Sequence, residues 1–314
     1  MRATAHRTAR MTRIAVATLA LGIAGCASHD QLPDRNYAPP VARPMYAAGR
    51  GPVVCVDEKH HNFHTLGGRF AAFGGLLKRD GYRPVPSAAT FDSTMLAACD
   101  VLVISNAQPN DDEWDRYPIP TPSAFTSAEI AAVREWVDGG GALLLIADHQ
   151  PLAGAAAKLA SAFDVEFTDG FARREPNHAE PDIFRTADGT LRAHAITAGR
   201  DARESVASLR TFRGQAFRAP LAEALIVLPA GWVNLMSEKA WEFTDSTPRL
   251  PVAGWLQGAA QTVGNGRAAF FGEAAMFSAQ RVGAERKPLG MNAPGAEANF
   301  QFVLNVLHWL TRKL

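Results

Sequence analysis

Residues 126–149 read TSAEIAAVREWVDGGGALLLIADH, and this stretch decides the fold. Thr126, followed three residues later by Glu129, matches a capping box, in which each side chain satisfies a backbone amide of the other. Ile130, Val133, Trp136 and Val137 then fall on one side of the helix that follows. Gly139-Gly140-Gly141 stops that helix. From Ala142 to Ala147 every residue is apolar, without alternation, which suits a strand covered on both faces. The run ends on Asp148-His149, so two polar side chains stand at the strand's carboxyl end.

The same grammar recurs on either side. Pro52 to Val56 and Asp100 to Ser105 read as short buried strands. Leu66 to Arg79 carries Phe70, Phe73, Leu76 and Leu77 at helical spacing and stops at Asp80-Gly81. Leu152 to Phe163 and about Glu297 to Leu310 read as helices, the latter with Phe300, Val303, Leu304 and Leu307 as its stripe. Later strands are expected at Glu223–Leu228, Pro251–Gln257 and Arg267–Phe271, with Gly264-Asn265-Gly266 as a turn between two of them. Continuous apolar strands alternating with amphipathic helices predict an α/β fold: a doubly wound, mostly parallel sheet with helices on both faces. Residues 169–201 break the pattern with polar residues, Pro176, Pro181 and Gly189, and read as a loop-rich insertion.

The N-terminus sets the expected compartment. Arg2, Arg7, Arg10 and Arg13 precede an apolar run from Ile14 to Ala24, too short to span a bilayer. Residues 1–25 therefore read as a signal peptide. Leu21-Gly22-Ile23-Ala24-Gly25-Cys26 resembles the bacterial lipobox, which implies lipidation of Cys26. The expected partner is then a membrane, held through that lipid, and the expected location is the periplasmic face of the outer membrane. Residues 26–50, rich in Pro, Ala and Arg, read as a tether, leaving 51–314 as the domain. Cys55 and Cys99 are by default a pair of buried, inert thiols. An oxidising periplasm would allow a disulfide, but nothing in their spacing calls for one.

Charge argues against one class of partner. With 32 Lys and Arg against 31 Asp and Glu, and no basic stripe among aromatics, nucleic acid is not an expected partner. No GxSxG nucleophile elbow is present. The triple glycine precedes a strand instead of following one, the wrong order for a phosphate cradle.

Polar residues gather where strands end: Asp57-Glu58-Lys59-His60-His61-Asn62-Phe63-His64, Asn106-Ala107-Gln108, Asp148-His149-Gln150-Pro151 and Gly272-Glu273. In a parallel sheet these loops share one edge. Asp57, His61, Asn62, His64 and Asn106 are the expected ligand contacts, and Asp148, His149 and Glu273 the expected acid/base groups. His61, His64 and His149 could hold a divalent metal, although their spacing matches no established zinc motif. A histidine taken singly is more often a structural partner, and the cluster is what suggests a pocket. Trp232, Trp241 and Trp255 could stack on sugars, with core packing the better reading of scattered tryptophans.

Together, Trp136 to Gly141 followed by Leu143 to His149 resemble the class I glutamine amidotransferase-like superfamily. His194-Ala195-Ile196-Thr197-Ala198-Gly199 is similar to a His-Pro-Ile-Thr-x-Gly motif of some members, with Ala195 in place of proline. Thr211 to Gln215, Phe271 to Ser278 and Asn305 to Leu310 fit an uncharacterised bacterial branch. The resemblance implies an amidotransferase-like, flavodoxin-like domain. It also implies a catalytic cysteine at the turn where Asp148 stands here, and a carboxylate cannot form the thioester that glutaminase chemistry needs. The leading expectation is a module binding a small polar or saccharide ligand. The alternative is an envelope hydrolase, metal- or acid/base-dependent, using Asp148, His149 and Glu273. A structural scaffold is the third.

Overall fold

The computed structural model describes residues 31–176 and 180–314. The signal peptide expected at 1–25 and Cys26, the expected site of lipidation, lie outside the described residues. Five parallel strands form the centre: β1 (Val53–Asp57), β2 (Arg83–Ser87), β3 (Val101–Ser105), β4 (Ala142–Ile146) and, after β5 (Leu256–Val263), β6 (Gly266–Phe271). Their order across the sheet is β2-β1-β3-β4-β6, and every neighbouring pair in that series is parallel.

Side chains of a strand alternate between faces, and here each face has its own core. Val54, Val56, Val103, Leu144 and Ile146 pack with Phe73 and Leu76 of α1 (Ala71–Arg79). Phe302, Val303 and Val306 of the last helix, Asn299–Leu310, join the same cluster. On the other face Leu102, Ile104, Leu143 and Leu145 meet Val133 and Val137 of α2 (Ser127–Asp138) and Ala156 and Leu159 of α3 (Leu152–Ser161). The capping box is formed: Thr126 N donates to Glu129 Oε2 at 3.0 Å, and Glu129 N donates to Thr126 Oγ1 at 3.3 Å.

The sheet is mixed, not mostly parallel. The Gly264-Asn265 turn, with Gly264 at φ 54°, folds β6 back antiparallel on β5. Glu223–Val227, Phe217–Arg218 and Glu166–Phe167 extend that side, also antiparallel. A tight turn can only join antiparallel strands, so the hairpin reverses the sheet. The strand expected at 251–257 divides into Arg249–Pro251 and β5.

Among the described residues of 169–201, short strands stand between the turns. Phe171–Arg174 pairs with Trp232–Leu235, and Asp182–Arg185 with Ser208–Thr211. Their partners lie far downstream, so no local pattern reveals them. Residues 31–50, expected as a tether, lie on the domain. Gln31–Pro33 pairs antiparallel with Ala279–Val282, Asp34 meets Arg281 at 2.8 Å, and Tyr37, Val41 and Tyr46 pack on the core. Cys55 and Cys99 are not free thiols. They form a disulfide with Cα atoms 5.7 Å apart, joining β1 to the residues that lead into β3.

Candidate functional site

The last residues of three strands stand level, Ser105 opposite Ile146 and Ile146 opposite Phe271. The residues that follow, Asn106, Ala147-Asp148 and Gly272-Glu273, thus leave the sheet side by side. Asn106 takes a left-handed conformation, φ 50°, which asparagine tolerates better than most residues. Its amide donates to the Ile146 carbonyl at 2.9 Å and its Oδ1 accepts from Asp148 N at 2.9 Å. Across the turn, Gln215 Nε2 donates to the Ala147 carbonyl at 3.0 Å. Asp148 is therefore fixed from both neighbouring segments, and its side chain keeps 14% exposure.

Glu273 is fully buried. Its carboxyl accepts from Ala275 N at 2.6 Å and Met276 N at 2.9 Å, capping the short turn Ala275–Phe277. Burial first, and then the negative charge of Asp148, push its pKa well up against the pull of those amides. The pair thus divides into an enclosed Glu273, whose neutral form burial favours, and a more open Asp148.

His149 lies between them and an aromatic wall. Its Nδ1 stands 2.8 Å from the Gln150 carbonyl, which can only accept, so that nitrogen carries the hydrogen. Its Nε2 faces Asp148 Oδ1 at 4.0 Å. Burial lowers its pKa, against the opposing charge of Asp148, so the ring is a neutral imidazole at pH 7. Phe171 stacks on it at 4.3 Å, while Trp241 and Trp114 approach at 4.6 and 5.4 Å. Trp241 stays 43% exposed although large apolar rings favour burial. Arg213 completes the group, with its guanidinium 5.8 Å from the Trp241 ring, its charge felt by His149 and itself drawn by Asp148.

The remaining expected contacts serve the protein itself. Asp57 is fully buried and bonds His60 Nδ1 at 2.9 Å. His60 Nε2 reaches Glu129 at 3.0 Å, and its ring sits between Phe91 and Phe125. Asn62 accepts from His60 N and donates to the Ser105 carbonyl, which ties the loop to β3. His64 is buried with Nδ1 3.1 Å from Ser105 Oγ and its ring stacked on Phe70. Burial, helped by the Arg69 charge, takes its pKa down to about 3. His61 points to the surface and meets Asp111 at 2.7 Å.

The three histidines expected as metal ligands are thus held by separate partners. Among the described residues no group of three His, Cys, Asp or Glu side chains is arranged to hold a metal ion. The donor set does not fit one. Arg213 was missed as a site residue: Thr211 to Gln215 has no periodicity, and the turn's place beside Gly272 depends on long-range pairing. The amidotransferase-like motif at His194 is a helix start, where His194 Nδ1 accepts from Ile196 N at 3.0 Å.

No family model and no curated protein matches the sequence. Among solved structures, the N-terminal domain of mmIFT52 is similar over 82% of this chain and 97% of that one, with 13% identity and a TM-score of 0.56. A ThuA-like protein from Bacteroides uniformis covers 87% of this chain and 94% of its own, at 11% identity and a TM-score of 0.43. A cytoplasmic protein from Salmonella typhimurium covers 82% and 98%, at 13% identity and a TM-score of 0.48. At these identities the first likeness is one of fold alone, that of a mixed α/β domain.

Proposed function

We propose that this domain binds a small polar ligand, a saccharide, at the carboxyl edge of its parallel strands. The observation that carries the reading is Trp241: a partly exposed ring on the neutral His149, beside the carboxylate of Asp148. An aromatic face next to fixed polar groups suits a sugar, whose rings present one apolar face and a rim of hydroxyls. Glu273 does not touch the ligand, because it is enclosed and its oxygens are taken by backbone amides. The test is a melting scan of the full chain with and without mono- and oligosaccharides. A saturable rise in Tm that Trp241→Ala removes supports the reading, and no rise with any sugar overturns it.

One observation favours the hydrolase as a second reading. The Gln150 carbonyl fixes the His149 tautomer so that Nε2 is free to accept a proton beside Asp148. Hydrolysis of a glycoside or ester that His149→Ala abolishes while binding persists is the outcome that selects it.

The reading extends to the whole chain as an exported, lipid-anchored protein with a doubly wound, amidotransferase-like domain that lacks the cysteine. The basic and apolar N-terminus, Cys26 and the Cys55–Cys99 disulfide support export. The two-faced packing of helices and the β2-β1-β3-β4 order support the fold. Labelled palmitate incorporated by wild type and not by Cys26→Ala tests the anchor.

A further inference from the structure

Arg213 and Gly214 both take left-handed backbone, φ 95° and 109°. The turn is held on each side: the Arg213 carbonyl accepts from Gln257 Nε2 and the Gln215 amide donates to the Gly272 carbonyl, both at 2.8 Å. A Cβ on Gly214 would run into that same Gly272 carbonyl, so only glycine lets the turn lie against the end of β6. The arrangement carries the Arg213 side chain to the Trp241 ring and within range of the Asp148 charge.

The guanidinium there is partly buried. Among the described residues it makes no hydrogen bond and no ion pair, although Asp182 and Asp148 attract it from a distance and Arg173 repels it. Asp182 is engaged by Arg174 at 3.5 Å and Arg173 by Glu175 at 2.5 Å. The protein therefore carries a partly desolvated positive charge with open donors, beside an exposed aromatic face. Desolvating a charge without a partner is costly, and a planar fork of N–H donors matches a carboxylate better than any neutral group.

We infer that the ligand is an acidic saccharide, with its carboxylate on Arg213, its ring against Trp241 and a hydroxyl at Asp148. The inference rests on the saccharide reading above and adds the acid group as the feature that Arg213 selects.

Calorimetric titration of the full chain with matched pairs separates the two. The pairs are glucuronate with glucose, galacturonate with galactose, and N-acetylmuramate with N-acetylglucosamine, which also distinguish a ring carboxylate from a lactyl one. For at least one pair the acid binds about ten- to a hundredfold tighter than the neutral sugar. Arg213→Gln brings that pair to within about twofold, the acid losing far more affinity than the neutral sugar, and Arg213→Lys restores part of the gap. Acid and neutral sugars binding equally would overturn the inference and leave the saccharide reading in place. Binding of neither would overturn both. The melting temperature of each variant shows whether it is folded.

Discussion

Asp148 and Glu273 follow two parallel strands whose last residues, Ile146 and Phe271, are paired in register. One register thus sets two carboxyls side by side, one enclosed and capped and the other partly open. His149 stands beside the open member of that pair, and Arg213, without a hydrogen bond or ion pair among the described residues, lies within range of its charge.

The burial of Glu273 has a pH signature. Its folded pKa lies above its ordinary value of 4.5, so the stability it contributes is complete below that value and is lost as pH rises through the folded one. Melting temperatures over roughly pH 4 to 9 should fall more steeply for wild type than for Glu273→Gln. Asp148→Asn should also flatten the fall, because Asp148 is the second cause of the shift. Parallel curves for all three proteins would contradict the coupling.

His60 should behave as a clamp. Burial lowers its pKa, but its bonds to Asp57 and Glu129 outweigh that and hold it above 6.5. Glu129 is held below 4.5 by Thr126 and His60 despite burial. The His60 contribution is lost as pH rises through its folded value, that of Glu129 as pH falls through its own, so the clamp is complete between 4.5 and 6.5. His60→Phe leaves two buried carboxylates without their counter-charge and should cost about 3–5 kcal/mol by denaturant melt at pH 6. A loss under about 1 kcal/mol would contradict this.

His64 carries the opposite sign. With its pKa taken down to about 3, the stability it contributes is present above 6.5 and is lost as pH falls toward that lower value. His64→Phe should therefore lose less stability between pH 6 and 4 than wild type does, roughly in line with one buried histidine kept neutral. An unchanged acid limb would show that His64 is not the neutral, enclosed ring described.

The disulfide closes a loop of sequence separation 44. Chain entropy over a loop of that length corresponds to about 4 kcal/mol of stabilisation. Cys55→Ala with Cys99→Ala, or reduction of wild type, should lower the unfolding free energy by a large part of that, measured by urea titration. No change on reduction would place the bond outside the stabilising framework.

The α/β centre was legible because its signals are local. The capping box at Thr126, the glycines at 139–141 and the unbroken apolar run of β4 each lie within a few residues. The turn at Gly264-Asn265 was legible for the same reason, but the antiparallel half of the sheet depends on pairings with distant strands. β2 was hidden because Pro84 and Pro86 look like loop, yet it is an edge strand, where proline's missing donor is tolerated. Of the candidate site, Asp148, His149 and Glu273 were named from strand ends and do share one electrostatic neighbourhood. Asp57, Asn62 and His64 were named on the same ground but turn inward, since a strand-end loop has to satisfy its own backbone before it can meet a ligand. Arg213 and the exposure of Trp241 depend on pairings across the chain, which composition does not encode.

The most direct test of the central claim is the tryptophan emission of the full chain, titrated with the saccharides above and compared with Trp241→Ala. A ligand seated on Trp241 predicts a saturable change in wild type, and an affinity about tenfold weaker by calorimetry in a variant that melts normally. Equal affinity in the two proteins, or no saturable change with any saccharide, would contradict the placement of the ligand at this edge of the sheet.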